Sequence, residues 1–378
     1  MISRMHLVAS RATRMLHNSL LIVALLASAC KTAKTLPGPQ AATITDQGLI
    51  TCFSASTTLD GKAVWCEASA VAYDGHNLLI ANDKNGPDSL SSVFTKTPAA
   101  LADSTHSPTY LMSPAYAEGQ KYEDFAQTPN RKFVLLVTAF DRIKPGSTDW
   151  NGYNTILYWH TGDEQHPQVL APNDTGLSSI PYRDKLARVL ATNEFPDRIP
   201  YFKIEGLAAT DQHLLFGIRE VGASYTSFRP VAKIISVSYF TETTNQGERL
   251  RLGDDWRMVA DFDAAKAEPS LPQPLSLSSL EYDPYRNCFW LLTSLETKDR
   301  LDAYLWFIKP TDLFANKPFT LMRDSQRQPL RFGHKAEDLT PLDKNRLLVI
   351  HDDDRFQLPV GTQIRQPNQA PYAIVTIK

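Results

Sequence analysis

The residues of this chain best placed to do chemistry are five glutamates, each of which opens a similar short segment. Carboxylates are the ligands that hard divalent cations prefer, and they also act as general acids and bases. If they converge in space, their charge must be offset by a cation, by protonation, by water or by nearby arginine and lysine side chains. The five glutamates are Glu67, Glu123, Glu205, Glu281 and Glu337.

After each glutamate the chain runs through a turn signal into aliphatic residues that end in charge. The segment that begins at Glu205, for example, reads EGLAATDQHLLFGIRE. Such a segment predicts a β-hairpin whose first strand starts at the glutamate. The segments recur every 56 to 82 residues, a spacing that fits the blades of a β-propeller better than the shorter repeats of a solenoid.

The sequence between the hairpins supplies the remaining strands of an all-β fold. Apolar and aromatic runs at 155–159, 233–239, 304–308 and 372–377 predict outer strands. We therefore expect a β-propeller of five blades, with room in residues 84–120 for a degenerate sixth. Only one clear strand follows the last hairpin, so residues 49–53 are expected to complete that blade and close the ring, which hides two sheet edges.

In a propeller the first strand of each blade lines the central channel. The five glutamates are therefore expected to form a ring at one mouth, with calcium as the cation that offsets their charge. Two alternatives stay open, in which the glutamates set the blade spacing through amides and arginines, or act as acids and bases without a metal. The second strands run back to the same face and place a further set of charged residues just outside the ring, namely Asp83, Asp141, Arg219, Glu296 and Asp352.

The Glu205 segment resembles the hairpins of phytase-like β-propellers with esterase-like activity, and it is similar to hairpins of uncharacterised bacterial propeller lipoproteins. The resemblance rests on residues 204–208, IEGLA, and 214–219, LLFGIR. In blade number the chain is also similar to the five-bladed calcium-activated nucleotidases. The resemblance implies bound calcium and a phosphate ester or anhydride as substrate. It weakens in the segments where Asp124 and Asp338 replace the glycine and where Ala68-Ser69 follows Glu67.

No Gly-x-Ser-x-Gly, His-Glu-x-x-His, phosphate-loop or Cys-x-x-Cys motif occurs in the chain, so the sequence favours metal-assisted chemistry. Glu205 would hold the ion together with Glu281 and Glu337, while Arg219 would meet the charge of the phosphate. His351 is the candidate general acid, and its alternative role is that of a hydrogen-bonded residue at a strand end. The acidic run 351–355 predicts either a second cation site or a solvated turn.

The N-terminal residues resemble a signal that targets the protein to the cell envelope. Residues 1–29 resemble a signal peptide, and Cys30 follows Ala27-Ser28-Ala29 as in a bacterial lipoprotein. We expect a lipidated cysteine and tether at 30–45, a propeller at 46–378 and attachment to the outer membrane, with secretion into the periplasm as the alternative. An oxidising compartment favours a disulfide between Cys52 and Cys66.

Composition limits the choice of partner. The formal net charge is −2, and no basic cluster with interleaved aromatic residues occurs, so nucleic acid is excluded as the expected ligand. A monomeric, calcium-dependent phosphoesterase is the leading hypothesis. The rival hypothesis is a non-catalytic propeller lipoprotein that binds a glycan, a peptide or a protein, because propellers host both kinds of function.

Overall fold

The computed structural model describes residues 39–59, 61–84, 86, 90–173, 178–245, 247–354 and 356–378. The predicted signal peptide 1–29 and the lipidation site Cys30 lie outside the described residues. The described part of the chain folds as a five-bladed β-propeller. The predicted fold class and blade number are therefore confirmed.

The first strands of the structure precede blade 1, and blades 1 to 4 then follow in chain order. The strands before blade 1 are β1 (Ala42–Thr51), β2 (Thr58–Leu59) and β3 (Lys62–Ala63). Blade 1 contains β4 (Ala68–Tyr73), β5 (Leu78–Asn82), β6 (Val93–Lys96) and β7 (Thr109–Tyr110). Blade 2 contains β8 (Tyr122–Gln127), β9 (Phe133–Thr138), β10 (Ile156–His160) and β11 (Gln168–Val169).

Blade 3 has one strand more than its neighbours, because its third strand pairs with two successors. It contains β12 (Tyr201–Ala209), β13 (His213–Ser224), β14 (Ser227–Thr244), β15 (Gly247–Leu252) and β16 (Arg257–Asp261). Blade 4 contains β17 (Ser276–Asp283), β18 (Cys288–Glu296), β19 (Leu301–Ile308) and β20 (Thr320–Leu321).

Blade 5 joins the two ends of the described chain. Its strands β21 (Ala336–Pro341) and β22 (Arg346–His351) are followed by the small hairpin β23 (Pro359–Val360) and β24 (Gln363–Ile364), and then by β25 (Gln369–Ile377). Strand β1 pairs antiparallel with β25 along its length, so ring closure by an N-terminal strand is confirmed. The strand begins at Ala42, and the predicted domain boundary at residue 46 therefore falls inside β1.

Helices occur only in connections between strands of the described part. They are α1 (Pro114–Glu118), α2 (Ile180–Leu190), α3 (Ala264–Ala267) and α4 (Pro310–Leu313), with 3-10 turns at Pro98–Ala100 and Asn151–Asn154. Of the helices in the described residues, none has the length and apolar character needed to cross a bilayer.

The hydrophobic core is divided into five clusters, each of which lies between two neighbouring blades. The alternation of side chains along a strand explains this division. In β22, Leu347 and Val349 pack toward blade 4, whereas Leu348 and Ile350 pack toward blade 1. The doubled aliphatic runs of the sequence therefore supply both faces of a blade at once.

At the axis of the disc, aspartates from blades 5 and 2 reach the inner strands of the other three blades. Asp338 of blade 5 accepts hydrogen bonds from the backbone amide of Val71 in blade 1, at 2.6 Å, and from the hydroxyl of Ser279 in blade 4, at 2.7 Å. Asp124 of blade 2 accepts one from the amide of Leu207 in blade 3, at 2.8 Å. These bonds satisfy amides on the innermost strand edges, where no further strand is present to pair with them.

Asp124 and Asp338 are buried next to each other, and the Oδ1 atom of Asp124 has no hydrogen-bond partner among the described residues. We infer that the two carboxyl groups share a proton. Burial, with the charge of the neighbouring carboxyl, holds the pKa of Asp124 well above its usual range. Burial raises the pKa of Asp338 to about 7. Because the folded state keeps its proton to a higher pH than the unfolded chain does, the stability from this pair falls as pH rises from about 4 toward 7.

Asp124→Asn should reduce this pH dependence. The asparagine oxygen can still accept from Leu207, while its NH2 group donates to Asp338 in place of the shared proton. We expect the unfolding free energy of the variant, relative to the unmodified protein, to rise between pH 5 and pH 8 in urea titrations. Asp124→Ala, the control, removes the same carboxyl group but leaves the Leu207 amide unpaired, so it should be about 1–3 kcal/mol less stable than Asp124→Asn at both pH values. A constant difference for the asparagine variant would contradict the shared proton.

Candidate functional site

A β-bulge in the first strand of every blade directs side chains to one mouth of the channel. The pairing register shifts in each of these strands, and the first-strand residue that the shift skips is the extra, bulged one. In β12 a second shift, between Lys203 and Ile204, lies directly before it. The bulged residues are Ser69, Glu123, Glu205, Ser278 and Glu337. The predicted ring of five equivalent glutamates is therefore corrected to three glutamates and two serines.

Glu281 lies elsewhere, at the opposite mouth of the channel beside Tyr73 and Thr128. Its strand reaches the hairpin turn after only two more residues, at Asp283, whereas Glu205 is four residues from the end of its strand at Ala209. When the five segments are aligned on their glutamates, the segment of blade 4 is therefore out of register with the other four. Its bulged position is Ser278, three residues before Glu281.

Three blades place a lysine two residues before the bulged glutamate, a feature that the sequence interpretation missed. The segments KYED, KIEG and KAED carry Lys121, Lys203 and Lys335 at the same spacing, and this repeat was visible in the sequence. The Lys203 Nζ lies 3.2 Å from an oxygen of Glu123 and also contacts Glu205. These lysines are largely buried and neutralise the glutamates directly.

Lys121 and Lys335 extend the same pattern to blades 2 and 5. The Lys335 Nζ lies 2.7 Å from Glu337, and the Lys121 Nζ lies 3.0 Å from Asp141. Asp141, one of the acidic residues predicted outside the ring, is also paired with Arg142 at 2.7 Å. These charges account for a pKa of Asp141 lowered to about 2 in spite of its burial.

In blade 4, serines occupy the positions of both the lysine and the bulged glutamate. Arg219 of blade 3 fills the space that these small side chains leave. Its Nη1 donates to Glu205 at 2.9 Å and to the hydroxyl groups of Ser278 and Ser294 at 3.2 and 2.9 Å. Its Nη2 lies 3.5 Å from Glu296. Arg219, the residue expected to meet a phosphate, is therefore held between two blades by its own neighbours.

The resulting contacts form a chain of acidic and basic side chains around the mouth. This chain runs from blade 2 to blade 5 in the order Glu123, Lys203, Glu205, Arg219, Glu296, Lys335 and Glu337. The open alternative in which arginine and lysine offset the glutamate charge agrees with these contacts.

Blade 1 differs, because Glu67 occupies the place of the lysine. Its carboxylate contacts Lys84 and forms a group with Asp352 and Asp354, in which one oxygen of each residue lies within 4.8 Å of the others. Burial and the nearby charge of Asp83 raise the pKa of Glu67 to about 7. The pKa of Asp352 is also raised well above its usual range by burial. This part of the mouth, hereafter the acidic corner, is where negative charge is least compensated.

The protonation states of the bulged glutamates differ because their surroundings differ. Burial raises the pKa of Glu337 to about 7, although Lys335 opposes the shift. Burial also acts to raise the pKa of Glu205. The positive charges of Arg219 and Lys203 outweigh burial, so the pKa of Glu205 is lowered. Glu205 is therefore a fixed negative charge, whereas Glu337 can exchange a proton near neutral pH.

His351 does not reach the mouth as a catalytic group. The side chain is buried, its two ring nitrogens have no hydrogen-bond partner among the described residues, and the centre of its ring lies 5.3 Å from that of His334. Burial lowers the pKa of His351 to about 3, so the imidazole is neutral and cannot be the predicted general acid. The predicted acidic turn is also divided, since Asp353 turns inward and accepts from His334 at 2.7 Å.

The cysteines and the ring-closing strand help to position the acidic corner. A disulfide joins Cys52, just after β1, to Cys66, next to Glu67. Arg365 is fully buried, donates to the carbonyl of Cys66 at 3.1 Å and lies 3.5 Å from Asp352. Glu67 and Asp352 are thus anchored by the same contacts that close the ring.

Neither a family model nor a curated protein matches the chain. Among solved structures, the chain is similar to an aldose sugar dehydrogenase from Streptomyces coelicolor in its PQQ-bound form, at 11% identity over 90% of this chain and 100% of that one, with a TM-score of 0.35. It is also similar to an α-L-arabinofuranosidase from Podospora anserina in complex with cellotriose, at 12% identity over 90% and 98% of the chains and a TM-score of 0.41.

A third solved structure, the catalytic domain of a GH62 α-L-arabinofuranosidase from Coprinopsis cinerea, matches at 11% identity over 91% of this chain and 98% of that one, with a TM-score of 0.41. TM-scores of this size carry no argument about fold or activity. The fold and the site together define a five-bladed β-propeller with an ion-paired channel mouth and one acidic corner.

Removing the shared lysine tests the ion-paired mouth. Lys203→Met leaves Glu123 and Glu205 without their common cation, and we expect a loss of about 3–5 kcal/mol in unfolding free energy. The loss should be larger at pH 8 than at pH 5, because the uncompensated carboxylates can take up protons at lower pH. Urea unfolding at the two pH values measures both effects.

Lys121→Met is the matched control, because its partner Asp141 keeps Arg142. Lys121→Met should lower the unfolding free energy clearly less than Lys203→Met does. Equal losses for the two variants, or a loss for Lys203→Met that does not depend on pH, would show that the lysines are not the main compensation of the glutamates.

Proposed function

We propose that the acidic corner binds a divalent cation, calcium, and that the protein uses it to bind and hydrolyse a small phosphate ester. The observation that supports this proposal is the grouping of Glu67, Asp352 and Asp354 oxygens within 4.8 Å of one another, next to two lysines. Calcium holds oxygen ligands at about 2.3–2.6 Å, so oxygens at that separation are able to share one ion.

The neighbouring side chains suit a phosphate group. Lys84, whose side chain is 63% exposed, contacts Glu67, and the Lys335 Nζ lies 3.4 Å from Asp354. Both can meet negative charge on the substrate once a cation occupies the carboxylates. A bound cation would polarise the phosphoryl group and activate water. Glu337, with its pKa of about 7, is suited to transfer a proton in such a reaction.

The proposed setting is the cell envelope. We propose that Cys30 carries the lipid, that the protein is attached to the outer membrane, and that it works as a monomer. The support for the anchor is the sequence of residues 27–30, ASAC. A disulfide between Cys52 and Cys66 is in keeping with an oxidising compartment.

A second candidate function is the non-catalytic binding of a neutral glycan. Two cavities of about 770 and 560 Å³ share Ser104 and Gln369 as lining residues and lie beside the ring-closing strand. Asp46 is the one charged residue among the described residues of their linings, which combine amides and hydroxyls such as those of Gln47 and Gln363 with apolar side chains such as Phe53 and Leu90. Such a surface can form hydrogen bonds with sugar hydroxyls, but its described residues offer no positive charge to bind a phosphate.

Metal content and thermal unfolding test the calcium proposal first. We expect about one calcium per chain by mass spectrometry, and a higher melting temperature in calcium than in chelator. Calcium at a hundredfold excess over its Kd would add about 2.7 kcal/mol. The double variant Asp352→Asn with Asp354→Asn should lose both effects, whereas Asp254→Asn, a change at an exposed side chain, should keep them.

Turnover then separates the two functions. Calcium-dependent hydrolysis of p-nitrophenyl phosphate or inositol hexakisphosphate that the double variant lacks supports the enzyme. Calcium binding without turnover would contradict the phosphoesterase and retain the cation site. Absence of calcium together with an unchanged melting curve would contradict both the cation site and the phosphoesterase. Binding of a neutral oligosaccharide such as xylohexaose in chelator, lost on Gln47→Ala with Gln363→Ala, would support the second candidate.

A further inference from the structure

The opposite mouth of the channel contains a buried carboxyl group that no basic side chain of the described residues pairs with. Glu281 is 8% exposed, and its described surroundings supply it with no hydrogen bond and no ion pair. Burial, followed by the charges of Asp338 and Asp283, raises its pKa well above the usual range. An unpaired buried carboxylate is costly, and this one is not required for the amide contacts that Asp124 and Asp338 make at the axis.

Glu281 faces a small cavity of about 30 Å³, a volume close to that of one water molecule or one compact cationic group. The walls include Tyr73, Tyr282 and the threonines Thr128 and Thr340. The Tyr73 hydroxyl donates to the carbonyl of its own hairpin turn at 2.9 Å, and the Tyr282 hydroxyl donates to Asn287 at 2.8 Å. Since both hydroxyls are directed to the turns, the rings form the walls.

Arg131 lies across the entrance to this cavity. From blade 2 its guanidinium donates to the hydroxyl of Tyr285 in blade 4, and its carbon Cζ lies 5.8 Å from the centre of that ring. Its other terminal nitrogen packs on Gly75 of blade 1, where an added Cβ would lie 3.0 Å away. No ion pair joins Arg131 to Glu281 in the described part of the chain. The entrance is therefore narrow, and the carboxylate stays free.

We propose that Glu281 and the surrounding aromatic rings form a binding site for the ammonium group of a small primary amine. The carboxylate supplies the opposite charge, and the tyrosine rings supply cation–π contacts, which suit an ammonium ion. A calcium ion would need six to eight oxygen ligands, and Glu281 is the one carboxylate among the lining residues. Asp338, deeper in the channel, adds negative potential behind it. This site is separate from the acidic corner and does not depend on the proposed phosphoesterase activity.

Thermal unfolding with simple cations tests the site. The probes are methylammonium chloride, tetramethylammonium chloride, potassium chloride and sodium chloride at equal ionic strength. We expect methylammonium to raise the melting temperature above the value in the other three salts, because tetramethylammonium is too large for the cavity and Glu281 is the one carboxylate that its described lining offers a metal ion. Glu281→Gln should remove the difference and weaken methylammonium binding by tenfold or more in calorimetric titration.

Glu281→Gln is expected to fold, because it replaces an unpaired buried carboxylate with a neutral side chain of the same shape. The control is Glu194→Gln, a change at an exposed glutamate that should leave the methylammonium effect intact. Arg131→Ala should open the entrance and allow tetramethylammonium to act as well. Equal shifts in all four salts, a shift specific to potassium or sodium, or a methylammonium effect that persists in Glu281→Gln would each overturn the proposal.

Discussion

The constraint on which this structure depends is the inner edge of each blade. Five first strands meet at the axis, and their outward-facing partners cannot satisfy the amides that point into the channel. Asp124 and Asp338 accept hydrogen bonds from three other blades, and we infer that they share a proton. The two aspartates therefore satisfy backbone amides at the centre of the disc, as strand pairing does elsewhere. To do so, their carboxyl groups must be buried at the axis.

Carboxyl groups at the axis create an electrostatic problem that the two mouths handle differently. At one mouth, Lys203, Arg219 and Lys335 join the glutamates in a chain of ion pairs that crosses from blade to blade. Among the described residues of this mouth, negative charge is most concentrated at the acidic corner, where Glu67, Asp352 and Asp354 lie together beside Lys84, Lys335 and Arg365. At the other mouth, Glu281 forms no ion pair within the described residues, although Arg131 lines the same cavity. The two places where charge is left over are those where a ligand has an electrostatic reason to bind, which is why the proposals concern them.

The correct and incorrect predictions have a common physical origin. Apolar periodicity and turn signals predicted five hairpins and the ring-closing strand, because each is a local pattern. The position of the bulge is not local, since it depends on the register between two strands. Glu281 resembled the other glutamates in its context and was assigned to the wrong mouth, while Ser278 took the bulged position. The lysines two residues before Glu123, Glu205 and Glu337 repeat at a constant spacing, so they could have been recognised from the sequence.

The sequence by itself determined the class of fold, the number of blades and the strand that closes the ring. It also placed acidic residues on the first strand of most blades. Only the tertiary structure decided which charges meet, because those contacts join residues of different blades, such as Glu123 with Lys203 and Glu67 with Asp352. It also decided that His351 is neutral, since burial sets its pKa. Hydrophobic patterning acts along the chain, whereas charge compensation acts through space and depends on register and burial.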